Sequence, residues 1–314
     1  MSGNVQAARL QAHGEPLEIE GVELAEPGGG EVRVELHYAG VNPIDRYVAE
    51  GRVAPEGPLP RTLGGEAAGT LEGEAVLVAG AALGSARDGV WAQAAVVPEE
   101  AVHPLPAGVD LRAAAAMGIA GLTAWEAVRE LADVQAEDRV LVLGASGGVG
   151  SIIVSLVRAA GATLWGQTGT EDKAAFIEGQ GADRVLVGEA KDLRESLSEL
   201  QPTVVFDPLG GEFVPLAVEG LAPRGRLVSF GTSAGPQVSF NMQTLYRNML
   251  TVRGYGGMQL GAAERREGLQ AALRALSAGE LRVSIDQVLP LAEVGEAFGR
   301  LEGRKVQGKL LLEL

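Results

Sequence analysis

The chain has 314 residues, 46% of them hydrophobic and none of them cysteine, so two well-cored domains are possible while disulfides, thiolate nucleophiles and cysteine-ligated zinc are excluded. A formal net charge of −15 opposes nucleic acid and anionic membrane as partners. The first residues lack a basic segment leading into an apolar core, and no run approaches the ~18 apolar residues of a membrane span. A soluble, cytoplasmic protein is expected.

Residues 1–118 read as short alternating pieces broken by Gly and Pro, such as 31–36 and 89–97, the pattern of an antiparallel β domain. From residue 139 the rhythm changes. Apolar strands at 139–143, 163–167, 184–187, 203–207, 225–230 and 250–253 alternate with helices at 149–160, 171–180, 192–200 and 213–221. Six strands with intervening helices predict a doubly wound parallel sheet of the Rossmann type. The tail returns to mixed structure, with helices near 262–277 and 294–301 and a last apolar strand at 309–314. Residues 1–118 and 254–314 are therefore expected to form one domain and 119–253 the other, with the active site in the cleft between them.

The most telling stretch is Val140-Leu-Val-Leu-Gly144-Ala-Ser146-Gly147-Gly148-Val149-Gly150, where a buried strand runs through a glycine-rich turn into a helix. Glycines let the backbone turn sharply and approach a pyrophosphate at the helix N-terminus, where unpaired N–H groups and the dipole favour negative charge. Ser146, Gly147, Gly148 and Val149 are thus expected to bind a dinucleotide. The end of the second strand, Trp165-Gly-Gln167-Thr168-Gly169, lacks the acid that binds a ribose 2′-hydroxyl in NAD enzymes. His13, His37 and His103 have no metal-like spacing.

Several motifs together resemble the zinc-independent quinone oxidoreductases of the medium-chain dehydrogenase/reductase superfamily, the group that includes zeta-crystallin. They are Ala39-Gly-Val-Asn42-Pro-Ile-Asp45-Arg-Tyr47, Gly64-Gly-Glu66-Ala-Ala-Gly69, Gly121-Leu-Thr123-Ala-Trp, the 144–150 turn, Phe206-Asp207-Pro-Leu-Gly210-Gly, Gly225-Arg-Leu-Val-Ser-Phe-Gly231 and Gly308-Lys309. The resemblance implies a Rossmann domain inserted in a GroES-like β catalytic domain. Zinc alcohol dehydrogenases of the superfamily carry cysteine where this chain has Asn42 and histidine where it has Gly65, so no metal site is expected. Without a Lewis acid, the implied chemistry is hydride delivery to an electrophilic acceptor, a quinone or an α,β-unsaturated carbonyl.

The resemblance also assigns roles. Lys173 matches the lysine that pairs with a 2′-phosphate, which favours NADPH, and Gly169 lies beside it. Asn42 and Tyr47 fall at the nicotinamide end, where Tyr47 either donates a proton or positions the ring. Thr123 contacts the cofactor or caps a helix, and Gly231, Thr232 and Ser233 end the fifth strand on the nicotinamide side. Glu66 is a structural partner within the β domain, and Asp207 either faces ligand or binds loop backbone. Two departures stand out: Val187-Gly188 replaces the family's Asn-Tyr pair, and 69–97 is short and lacks its Val-Gly-Asp-Arg-Val turn. Relatives pair through the edge strand, so a homodimer using 251–260 is expected. A non-catalytic NADPH-binding sensor or structural protein is the alternative.

Overall fold

A computed structural model describes residues 4–314. Its strands are, in chain order, β1 (Asn4–Leu10), β2 (Glu18–Glu23), β3 (Glu31–Val41), β4 (Arg61–Thr62), β5 (Glu66–Leu71), β6 (Glu74–Ala79), β7 (Ala94–Pro98), β8 (Val102–Pro104), β9 (Arg139–Val142), β10 (Thr163–Thr168), β11 (Arg184–Val187), β12 (Val204–Asp207), β13 (Arg226–Ser229), β14 (Thr251–Gly254), β15 (Ile285–Pro290) and β16 (Lys309–Glu313). They fall into two units. The first takes the chain up to Leu122 together with Met258–Gly279 and Val283–Leu314; the second takes Thr123–Gly257 and Glu280–Arg282.

In the first unit a seven-stranded sheet runs β15-β16-β3-β5-β6-β8, with β7 pairing the early part of β3, and a three-stranded sheet runs β2-β1-β4. All pairs are antiparallel except β15 with β16. The eleven residues of β3 organise the sheet because successive parts of that strand pair with β7, β5 and β16. Its inward residues Val34, Leu36, Ala39 and Val41 join Leu63, Trp91, Leu310 and Leu312 in one apolar core. Trp91 is fully buried, donates its indole N–H to the Gly40 carbonyl at 3.2 Å and tilts against Phe298 with centroids 5.7 Å apart.

The predicted strand at 89–97 forms only from Ala94 onward. The N–H groups of Gly89, Val90 and Trp91 donate instead to the carbonyls of Thr62, Gly64 and Leu63, so this backbone crosses the 62–64 segment irregularly. A second local departure is a wide helical turn at Met117–Gly121, where the Gly121 N–H reaches back five residues to Ala116. Such π turns loosen the ordinary ladder.

The second unit bears out the doubly wound reading. Its six strands run β11-β10-β9-β12-β13-β14, every pair parallel. The central strands read as unbroken apolar runs because both faces are covered: Val140, Leu141, Val142, Val204, Val205 and Phe206 are each fully buried. One core cluster combines Leu141, Val205 and Leu227 of the sheet with Leu197, Val214, Leu216 and Val218 of the helices Arg194–Leu200 and Phe213–Gly220.

Candidate functional site

At the end of β3 the chain turns through Asn42 into α1 (Pro43–Ala49). Proline suits the first helical position because its fixed φ is already helical and no N–H is wasted there. The Asp45 carboxylate reaches back to accept the Asn42 N–H at 2.8 Å. Sheet register then decides what Asn42 meets. Val41 pairs with Leu310 and Ala39 with Ala67, which brings Asn42, Lys309 and Glu66 together from three adjacent strand ends. The Asn42 amide donates to Glu66 Oε1 at 2.7 Å and accepts from Lys309 Nζ at 2.6 Å, while Lys309 pairs with Glu66 Oε1 at 3.1 Å. Glu66 Oε2 accepts the Ile119 N–H at 2.8 Å inside the wide turn. The cluster is buried: Asn42 is 3% exposed, Asp45 5%, Lys309 2% and Glu66 0%. A β-carbon on Gly40 would collide with the Glu66 carboxylate, so glycine is required beside it.

Two carboxylates and one ammonium are thus held away from water. Glu66 has the ammonium, an amide and a backbone N–H, whereas the hydrogen bonds of the Asp45 carboxyl are with Asn42. Burial pushes the Asp45 carboxyl up to about 7, with the Asn42 N–H opposing and the Glu66 charge reinforcing the shift. The Asp45 carboxyl therefore holds its proton in slightly acidic solution. Tyr47, five residues past Asn42, is half-buried on α1 with the Arg52 guanidinium 4.4 Å and the Arg46 guanidinium 5.7 Å from its ring centre.

In the second unit the loops at the carboxyl ends of the parallel strands are tied into one rim. After β9, Gly144 takes φ +59°, and its N–H donates to the Gln167 side chain at 2.9 Å. The same Gln167 amide donates to the Gly188 carbonyl at 2.8 Å, linking the ends of β9, β10 and β11. Helix α2 (Gly148–Ala160) starts from Gly147 in extended conformation with no side-chain cap, leaving its first N–H groups for an anion. A β-carbon on Gly150 would strike the Gly144 carbonyl oxygen, so the turn closes on the helix only with glycine there. Ser146 is 6% exposed, with its hydroxyl 3.5 Å from that of Thr168.

Gly169 follows β10, and the turn Glu171–Lys173 follows Gly169, with Lys173 9% exposed. Asp207 ends β12 fully buried, accepting from the N–H groups of Leu209 and Gly210 and from the Ser229 hydroxyl at 2.8–3.0 Å. Burial raises its pKa, and these bonds show it binding loop backbone. Gly231 packs against the Pro208 carbonyl, which also accepts the Ser233 hydroxyl at 3.3 Å. Ser146, Gly147, Gly169, Lys173, Gly231, Thr232 and Ser233 therefore lie on the segments that follow strand ends of one sheet, and Gly148 and Val149 open α2 directly after the first of them. Thr123 does not cap a helix; it lies half-buried inside the helical segment Leu122–Trp125. The loops after β12 and β13 also line an open groove of about 460 Å³, apart from the glycine turn.

Among the described residues no three His, Asp or Glu side chains form a group able to hold a metal ion. His103 is buried against the Ala79 carbonyl, and burial holds its pKa down to about 4. Sequence reasoning missed the part played by Lys309, which entered only within the Gly308-Lys309 motif and with no role of its own. Asp45 stood in the sequence only as a member of the 39–47 motif.

The glycine turn, the uncapped start of α2 and the space closed off by Gly150 fit a dinucleotide phosphate. A GroES-like β unit joined to a parallel dinucleotide-type sheet defines a dehydrogenase class. The model for the alcohol dehydrogenase GroES-like domain matches residues 28–107, and that for zinc-binding dehydrogenase matches 148–278. The chain is 30% identical to a quinone oxidoreductase of Pseudomonas aeruginosa over 98% of its length and 99% of the relative's. It is 31% identical to quinone oxidoreductase 1 of Escherichia coli, covering 96% and 97%, and 28% identical to a 2-haloacrylate reductase of a Burkholderia species, covering 98% of each. Among solved structures, AibC superposes with a TM-score of 0.90 at 28% identity, covering 100% of this chain and 96% of that one. A mycobacterial protein complexed with NADPH superposes with a TM-score of 0.87 at 25% identity, covering 99% and 100%. The chain belongs to the quinone oxidoreductase family of the medium-chain dehydrogenase/reductase superfamily. It is an oxidoreductase, and no helix among the described residues is long and apolar enough to cross a membrane.

Proposed function

We propose that this protein is a cytoplasmic NADPH-dependent reductase that delivers hydride, without a metal, to a quinone or an α,β-unsaturated carbonyl. The observation that carries the reading is the glycine turn of 144–150 feeding the uncapped N-terminus of α2. Ser146, Gly147, Gly148 and Val149 hold the pyrophosphate, Gly169 and Lys173 the adenosine end with its 2′-phosphate. Thr123, Gly231, Thr232, Ser233, Asn42 and Tyr47 serve the nicotinamide end. NADPH supplies the hydride.

The commitment of the Asn42 amide to Glu66 and Lys309, and the missing side chain at Gly65, favour an acceptor that needs no metal for activation. Tyr47, through its phenol O–H, offers a proton to the reduced acceptor. The NADPH found with one similar structure and the reductase name of the haloacrylate relative support the same reading.

Purified protein titrated with NADPH and NADH, followed by NADPH oxidation with a panel of quinones and enones, tests it. Tight NADPH binding with turnover of at least one acceptor class is expected. Binding without turnover across the panel overturns the enzymatic reading. We also propose a homodimer through the β14 edge, where Val252 on the strand is 41% exposed and Met242, Tyr246 and Met249 shortly before it are 60%, 61% and 58% exposed.

A further inference from the structure

The end of β10 offers no carboxylate of its own to a ribose, yet a carboxylate is mounted over it from the next strand. Register pairs Thr168 with Val187, so the residues after the two strands run side by side. The Gly188 N–H donates to the Thr168 carbonyl at 3.0 Å, the Gly188 carbonyl accepts the Gln167 amide at 2.8 Å, and the Glu189 N–H donates to the Asp192 carboxylate at 3.0 Å. These three bonds fix the backbone on both sides of Glu189. Its Oε1 lies 3.9 Å from where a β-carbon on Gly169 would stand. Both Gly169 and Glu189 are exposed.

We propose that Glu189 is a cofactor-specificity residue: its carboxylate, carried over Gly169 by the turn after β11, receives the ribose hydroxyls at the adenosine end and limits the preference for a 2′-phosphate that Lys173 sets. The inference rests on the NAD(P)H reading above and deepens it. A ribose 2′-hydroxyl donates a hydrogen bond to a carboxylate, whereas a 2′-phosphate has only negative oxygens to present to it. Lys173 attracts the phosphate, and Glu189 repels it from the end of the neighbouring strand. The protein therefore accepts both NADH and NADPH, with the ratio set by this pair.

The test is a fluorescence titration of the full-length protein with NADH and with NADPH, comparing wild type, Glu189→Gln and Lys173→Ala. Glu189→Gln keeps size and shape and removes only the charge. It is expected to tighten NADPH, weaken NADH and shift the affinity ratio toward NADPH by about tenfold, the size of one partly screened charge interaction. Lys173→Ala is expected to move the ratio the other way. An unchanged ratio in Glu189→Gln, with wild type still binding cofactor, overturns this inference and leaves the reductase reading standing. Failure of wild type to bind either nucleotide overturns both.

Discussion

Replacing Asp45 by Asn removes a titrating group from the buried cluster while keeping an oxygen to accept the Asn42 N–H. The wild-type carboxyl moves from 3.8 to about 7 on folding, driven first by burial. Below 3.8 both folded and unfolded chains hold this proton, so the group contributes nothing there. As pH rises past that value the unfolded chain releases the proton and the folded one retains it, so the folded state binds more protons and stability falls. The fall ends near pH 7, where the folded group also ionises, and the full effect is about 4 kcal/mol from ~3 pKa units at 1.36 kcal/mol each. Between pH 5 and pH 8.5 the wild type should lose about 2 to 3 kcal/mol through this group alone, a loss the Asp45→Asn protein escapes. Urea unfolding of both proteins at pH 5, 7 and 8.5 measures the difference directly, because every other titrating group is common to the pair. Parallel stability curves across that range would refute the assignment of a proton to Asp45.

Lys309→Met strips the Glu66 carboxylate of its ammonium in a fully buried place and should destabilise by about 3 to 5 kcal/mol, with Glu66→Gln added to it restoring part of the loss, as read by denaturant midpoints. Gly150→Val should separate α2 from the 144–150 turn and weaken nucleotide binding by at least about tenfold in calorimetric titration, since even one β-carbon meets the Gly144 carbonyl. Val252→Lys places a charge on the exposed edge strand and should convert a dimer into a monomer by light scattering; a wild-type monomer would end that proposal.

The parallel sheet was legible because its strands are buried on both faces and read as apolar runs closed by glycine turns. Residues 140–150 show both signals within eleven positions. The β unit was legible in class but not in detail. Residues 89–93 alternate like a strand, yet the N–H groups of 89–91 go to the 62–64 backbone and that of Gln93 to Gln6, partners no local pattern announces. The wide turn at Met117–Gly121 has no periodic mark, since Met-Gly-Ile-Ala-Gly fits either kind of helical turn. Lys309 could not be read because its burial depends on the register of β16 against β3, more than 260 residues away in sequence. The rim residues were easier, since strand-end loops of a doubly wound sheet follow from strand order alone.

The position of β16 has a consequence for how the molecule is made. This strand sits between β15 and β3 inside the seven-stranded sheet, and its lysine completes the cluster around Glu66. It leaves the ribosome after every other strand of that sheet, whereas β9 to β14 form one contiguous stretch. The nucleotide-type unit has all its strands in hand well before synthesis ends, while β3 and the Glu66 carboxylate wait with an unpaired flank and an unpaired charge. Nascent chains stalled short of residue 309 should therefore hold a protected parallel sheet beside a protease-sensitive β unit.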